Sequence, residues 1–205
     1  MVALLAFASV LLLAACGGNS GGSTSSTQPE VIEIPTRWAS ANANDLSSLV
    51  ASSDEVFIAR VKALTGVRDQ TILPGSDSTV PGKPGRDPSS LPVSVYEIVI
   101  TQSFTGSHAA GSTATFEQVG GLVDQDGATV RLMLDGDPPV EVGKTYLLFI
   151  SRKSNGALSA PPYGRLEVTV DGRLAPLTRW AGLGALQRLS QVTAEQAGSE
   201  IDAAR

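Results

Sequence analysis

Three dipeptides, Asp126-Gly127, Asn155-Gly156 and Asp171-Gly172, cut the second half of the chain into short runs rich in β-branched residues. A glycine in the second turn position supplies the positive φ of a type I′ turn, so each pair predicts a tight reversal between antiparallel strands. The runs so bounded are 93–103, 112–119, 119–124, 128–134, 145–152 and 165–170, with an earlier strand over Val56–Leu64. Strands follow strands without intervening helices, which excludes a doubly wound sheet. No internal period repeats, which excludes propellers and solenoids. The fold class expected is mainly β, a small OB-like antiparallel barrel.

Helices are expected only at the ends of this domain. Asn44-Asp45 stand before Leu46, Leu49 and Val50, the pattern of a short capped amphipathic helix. Near the carboxyl end, Trp180, Leu183, Leu186 and Leu189 form one apolar stripe. Thr193 and Gln196 form a capping box that opens a second helix, with Ala194, Ala197 and Ile201 turned inward. Along the strand 93–103, alternation sets Tyr96, Ile98, Ile100 and Phe104 on one face. Residues 65–92, with prolines at 74, 81, 84, 88 and 92 and no aromatic residue, are expected to form a long disordered loop.

The amino terminus constrains location. Residues 2–15 are an uncharged apolar run ending at Cys16, too short to span a bilayer core of about 30 Å comfortably but suited to a signal peptide. Leu13-Ala14-Ala15-Cys16 resembles a bacterial lipobox, which predicts cleavage between Ala15 and Cys16 and a diacylglyceryl group on the Cys16 thiol. Residues 17–29 carry no charge and almost no apolar side chain, the composition of a flexible tether. The expected organisation is a signal peptide over 1–15, a lipidated Cys16 and tether over 16–30, and one extracytoplasmic domain over 31–205. Residues 1–15 hold no Lys or Arg, so the true start is expected upstream of Met1. Cys16 is the only cysteine, so the domain has no disulfide and must rest on its hydrophobic core.

Three segments then bear a family resemblance. Ser53-Asp54-Glu55-Val56-Phe57-Ile58-Ala59-Arg60-Val61 is a first strand. Tyr96-Glu97-Ile98-Val99-Ile100-Thr101-Gln102-Ser103-Phe104-Thr105-Gly106 is a second, ending in Phe-x-Gly. Gly143-Lys144-Thr145-Tyr146-Leu147-Leu148-Phe149 completes the set. Over residues 50–152 this order resembles bacterial secreted proteins with a netrin-like OB barrel of the kind found in tissue inhibitors of metalloproteinases. The resemblance implies the barrel. It transfers no inhibitory residue, because the animal inhibitors act through an N-terminal disulfide-held Cys, whereas Cys16 sits in a lipobox.

The remaining chemistry is read by exclusion. A net charge of −5 argues against a nucleic-acid partner. His108, the single imidazole, lies in the turn Thr105–Gly111 and is expected to be a surface residue with no orienting partner. Gly143-Lys144-Thr145 ends like a phosphate loop, but Pro138 stands where its first glycine belongs, and a strand follows. Asp124, Asp126, Asp135 and Asp137 are weak candidates for cation binding or for paired-carboxylate hydrolysis, and Asp-Gly pairs build turns in their own right. Arg152-Lys153 is read as a solvated hairpin tip. Trp38 and Trp180 are the candidates for a ligand groove. No catalytic set, metal set or cofactor is expected.

The leading expectation is therefore a non-enzymatic binding or interaction module. It would be held to a membrane lipid phase through acylated Cys16 and face a cell-envelope protein or an extracellular ligand. The alternatives are a carboxylate-dependent hydrolase around 124–137 and a structural envelope protein.

Overall fold

The computed structural model describes residues 29–35, 43–71, 90–125 and 127–205. Trp38, Asp126, Cys16 and the tether lie outside the described residues. So do residues 72–89 of the expected loop.

Ten strands run in the order β1 (Glu30–Ile34), β2 (Glu55–Thr71), β3 (Ser90–Thr105), β4 (Thr113–Val119), β5 (Gly121–Gln125), β6 (Ala128–Leu134), β7 (Thr145–Arg152), β8 (Leu158–Ser159), β9 (Arg165–Val168) and β10 (Leu174–Pro176). Helix α1 (Leu46–Ala51) precedes β2, and α2 (Gly184–Leu189) and α3 (Ala194–Ala203) follow β10. The main sheet has the order β10-β9-β7-β2-β3-β4-β8, and β8 returns to pair with β7. Five strands thus close on themselves, with β4 and β8 parallel and the other pairs antiparallel. This is the small OB-like barrel that the strand spacing predicts. A second sheet, β1-β6-β5, lies outside the ring, and its β1 runs parallel to β6.

The first residues of β2 (55–59) and the middle of β7 (146–150) are buried on both faces, which explains their unbroken apolar runs. Phe57, Ala59 and Val61 of β2 meet Tyr146, Leu148 and Ile150 of β7 inside the barrel, with Tyr96, Ile98, Ile100 and Phe116. The alternate residues, Val56 and Ile58 with Leu147 and Phe149, face outward into a second core closed by Leu49, Leu186, Leu189, Ala197 and Ile201. Period-two alternation therefore feeds two cores, one inside the ring and one under the helices. Helices α1 and α3 form as their caps predict, whereas α2 starts only at Gly184 without a side-chain cap, and Trp180 of the expected stripe lies in a preceding 3₁₀ turn. Asp45 accepts from the Ser48 N–H at 2.8 Å, and Thr193 and Gln196 make the reciprocal capping box.

Two expectations need correction. The stretch 65–92 is not a loop throughout: β2 continues to Thr71, β3 begins at Ser90, and the two pair from Thr71↔Ser90 inward. The β2 side of this arm is exposed, whereas Leu91 packs with Ile34, Leu132 and Leu134. The ladder holds the extension even though its β2 half offers little apolar surface. Phe104 also leaves the face of Tyr96, Ile98 and Ile100. Register shifts set Thr101 and Phe104 outside the residue-to-residue pairing with β2, so the alternation resets. Phe104 then packs against the helix-side core, close to Gly198 of α3.

Candidate functional site

A groove of about 330 Å³ opens where the far end of the barrel meets the second sheet. Its position follows from Gly120-Gly121, where the chain leaves β4 for β5. Gly120 has φ +108°, and a Cβ there would stand 2.8 Å from the Leu132 carbonyl. At Gly121 a Cβ would meet Ser94 Oγ at 2.8 Å. Only glycine permits both the backbone turn and this close crossing. The crossing is fastened by Gly120 N–H donating to the Pro92 carbonyl at 2.7 Å and by Ser94, whose N–H and hydroxyl both donate to the Gly120 carbonyl.

Polar groups beneath the groove are mostly committed to one another. Gln118 donates to Asp137 Oδ1 at 3.1 Å and to the Pro138 carbonyl at 2.9 Å, and its own oxygen accepts the Val140 N–H. Asp137 pairs with Arg165, and both side chains are almost fully buried. Burial disfavours the charged guanidinium and pulls its pKa down to about 9, and the Asp137 carboxylate is the counter-charge set against it. The Tyr146 hydroxyl accepts from the Glu141 N–H at 3.0 Å, and Glu141 itself pairs with Lys144 at 2.9 Å. Burial pushes the Tyr96 hydroxyl above its ordinary pKa, while a hydrogen bond with Ser94 and the charges of Arg131 and Arg165 pull it back. Tyr96 is therefore a neutral phenol at physiological pH.

The rim is different. Leu64, Leu122 and Val142 line it, and they are among the exposed large apolar side chains of the protein. The Arg131 side chain, half-buried on β6, lines the groove and makes no hydrogen bond or ion pair among the described residues. An apolar rim with a few converging polar groups at the mouth of a barrel is the usual build of a small-molecule site.

The opposite end of the barrel carries a second polar cluster. Glu55, at the start of β2, is buried and accepts the N–H groups of Ser107 and His108, both at 3.1 Å. His108 Nδ1 lies 2.9 Å from the carboxylate, and Arg152 pairs with it as well. Arg152 also donates to Ser107 Oγ at 2.8 Å. Burial pushes the Glu55 carboxyl up, but the hydrogen bonds from His108 and Arg152 outweigh it and hold the group below the ordinary carboxylate value. The expectation that His108 has no orienting partner is thus corrected: a carboxylate 53 positions away fixes its ring. Among the described residues no hydrogen bond joins Ser107 Oγ to that ring; the hydroxyl accepts from Arg152 instead. The cluster fastens the β3–β4 turn to β2 and β7.

Arg152 and Lys153 are likewise not a solvated tip. Lys153 reaches the buried Glu117 at 3.1 Å, which Arg68 also grips through two hydrogen bonds of 3.1 and 2.6 Å. Burial raises the Glu117 carboxyl, and these cations bring it below its usual range.

The sequence-selected residues fall elsewhere. Trp180 is buried on the helix side, donates its indole N–H to the Gly136 carbonyl at 2.8 Å and meets Tyr163 edge-on at 6.0 Å. It does not line the groove, and Trp38 lies outside the described residues. Asp135 pairs with Arg179, Asp137 with Arg165, and Asp124 is exposed on β5. Among the described residues no three His, Cys, Asp or Glu side chains stand together as a metal set. No helix among them is long and apolar enough to cross a membrane.

Sequence reasoning missed the groove and the Glu55 cluster. Adjacent glycines between two strands were the available signal for the first. An acid opening an apolar strand was the signal for the second. Comparison with family models and with curated proteins finds no match.

Proposed function

We propose that this chain is a lipid-anchored extracytoplasmic binding module whose barrel takes a ligand in the groove between its far end and the second sheet. The observation that carries the binding half is the groove itself, about 330 Å³ with an exposed apolar rim and an Arg131 side chain that has no ion-pair partner among the described residues. The anchoring half rests on sequence order: apolar run, Leu-Ala-Ala-Cys16, uncharged tether, folded domain. The closed five-strand ring supports kinship with netrin-like barrels as part of the same reading. Hydrolysis by the 124–137 carboxylates gains no support, because Asp135 and Asp137 are committed to arginines.

Two measurements test the two halves. Intact-mass analysis of membrane-extracted protein should show a lipid-sized increment that Cys16→Ser abolishes. An unmodified, uncleaved wild-type chain would overturn the anchor. For the groove, methyl resonances of Leu64, Leu122 and Val142 should shift together when a small amphiphile is titrated. Shifts confined to the helix-side core would overturn the groove as the binding site.

A further inference from the structure

From the charge balance of this groove we infer that its ligand is a compact monocarboxylate: an apolar body seated on Leu64, Leu122 and Val142, with its carboxylate held by Arg131. The inference rests on the binding reading above and specifies the class of ligand.

The argument is one of elimination among charges. The other charged side chains that line the groove have partners: Asp137 pairs with Arg165, and Glu141 pairs at 2.9 Å with Lys144, which also reaches Glu167 at 3.2 Å. Among the described residues, Arg131 is the charged groove-lining side chain with no hydrogen-bond or ion-pair partner, in a chain whose net charge is −5. Half-burying a guanidinium beside apolar walls without a partner is costly unless an anion arrives to share it. One carboxylate matches the single charge of the Arg131 guanidinium. A phosphate monoester, at about −1.5 to −2, would exceed it. The planar fork of arginine also matches the two oxygens of a carboxylate. Close by, the neutral Tyr96 phenol feels the Arg131 charge and adds a second polar group at the same end of the groove.

Size sets the second limit. The 330 Å³ volume lies at the low end of ordinary ligand pockets, roughly 300–1,000 Å³. A compact ligand suits a site of this size better than an extended one. The exposed rim leaves the apolar part accessible from solvent.

The test uses the full chain in phospholipid nanodiscs and three probes of matched shape: 4-phenylbutyrate, 4-phenylbutan-1-ol and 4-phenylbutylammonium. Affinities are read from the Leu64, Leu122 and Val142 methyl shifts against free probe concentration. The carboxylate should bind about tenfold or more tightly than the alcohol, and the ammonium most weakly. Arg131→Met should erase the preference for carboxylate over alcohol while keeping alcohol binding, and Arg131→Lys should restore part of it. Equal binding of carboxylate and alcohol to the wild-type protein would overturn the ligand class and leave groove binding standing. No shift with any probe would overturn both. The wild-type probe series decides the matter even if a variant folds poorly.

Discussion

The two ends of the barrel handle charge in opposite ways. At the end where β2 starts and β7 finishes, Glu55 collects two backbone N–H groups, His108 and Arg152, so the buried acid is saturated. At the other end, Arg131 lines an apolar-rimmed groove with no partner among the described residues. A saturated cluster contributes to stability and fixes a turn. An unsaturated one leaves interaction energy to be realised on binding. The difference separates what holds this fold together from the groove proposed to take a ligand.

The largest expected effect tests whether the groove floor belongs to the stability half of this division. Asp137→Ala leaves Arg165 buried without its counter-charge and should cost about 3–5 kcal/mol in urea denaturation. A loss well under 1 kcal/mol would show that the pair is not desolvated. At the closed end, Glu55→Gln keeps the shape but removes the charge that the hydrogen bonds serve, an expected loss of about 1.5–3 kcal/mol.

The pH dependence of stability sharpens the same contrast. Glu55 and Glu117 have folded-state pKa values below the ordinary 4.5. As pH falls, the unfolded chain therefore takes up protons first. Their stabilisation is complete above the unfolded pKa and is lost as pH drops through the lower folded values. Denaturation midpoints should fall on acidification below about pH 4.5, and Glu55→Gln should flatten part of that slope. An unchanged slope in the variant would contradict the saturation of Glu55.

Smaller effects are expected around the groove. Gly120→Ala forces a Cβ at φ +108° against the Leu132 carbonyl and should cost about 1–3 kcal/mol, with methyl shifts centred on the crossing from β4 to β5. Arg131→Met should leave stability unchanged or raise it, since its side chain has no partner among the described residues and a half-buried charge is removed. A loss comparable to that of Glu55→Gln would place Arg131 among the structural charges and end the comparison.

What the sequence disclosed follows from range. Asn155-Gly156 and Asp171-Gly172 marked reversals because turn chemistry is local, and both glycines take positive φ, +81° and +78°. The Thr193–Gln196 box and the Asp45 cap are equally local. The barrel could be anticipated because β2 and β7 carry both its inner and outer apolar faces. The departure of Phe104 was not legible, since a bulge depends on the partner strand. Neither was the parallel pairing of β1 with β6, which joins Glu30 to Val130. The site was hidden for the same reason. His108 meets Glu55 across 53 positions, and whether Arg131 finds a carboxylate depends on everything that surrounds it in space.

The most direct test of the central claim is an experimental electron-density map of the full chain crystallised with 4-phenylbutyrate. The account predicts the ring over Leu64, Leu122 and Val142, the carboxylate on Arg131, and Glu55 undisturbed between His108 and Arg152. A ligand seated at the Glu55 end, or an Arg131 already paired with a carboxylate of its own chain, would contradict it.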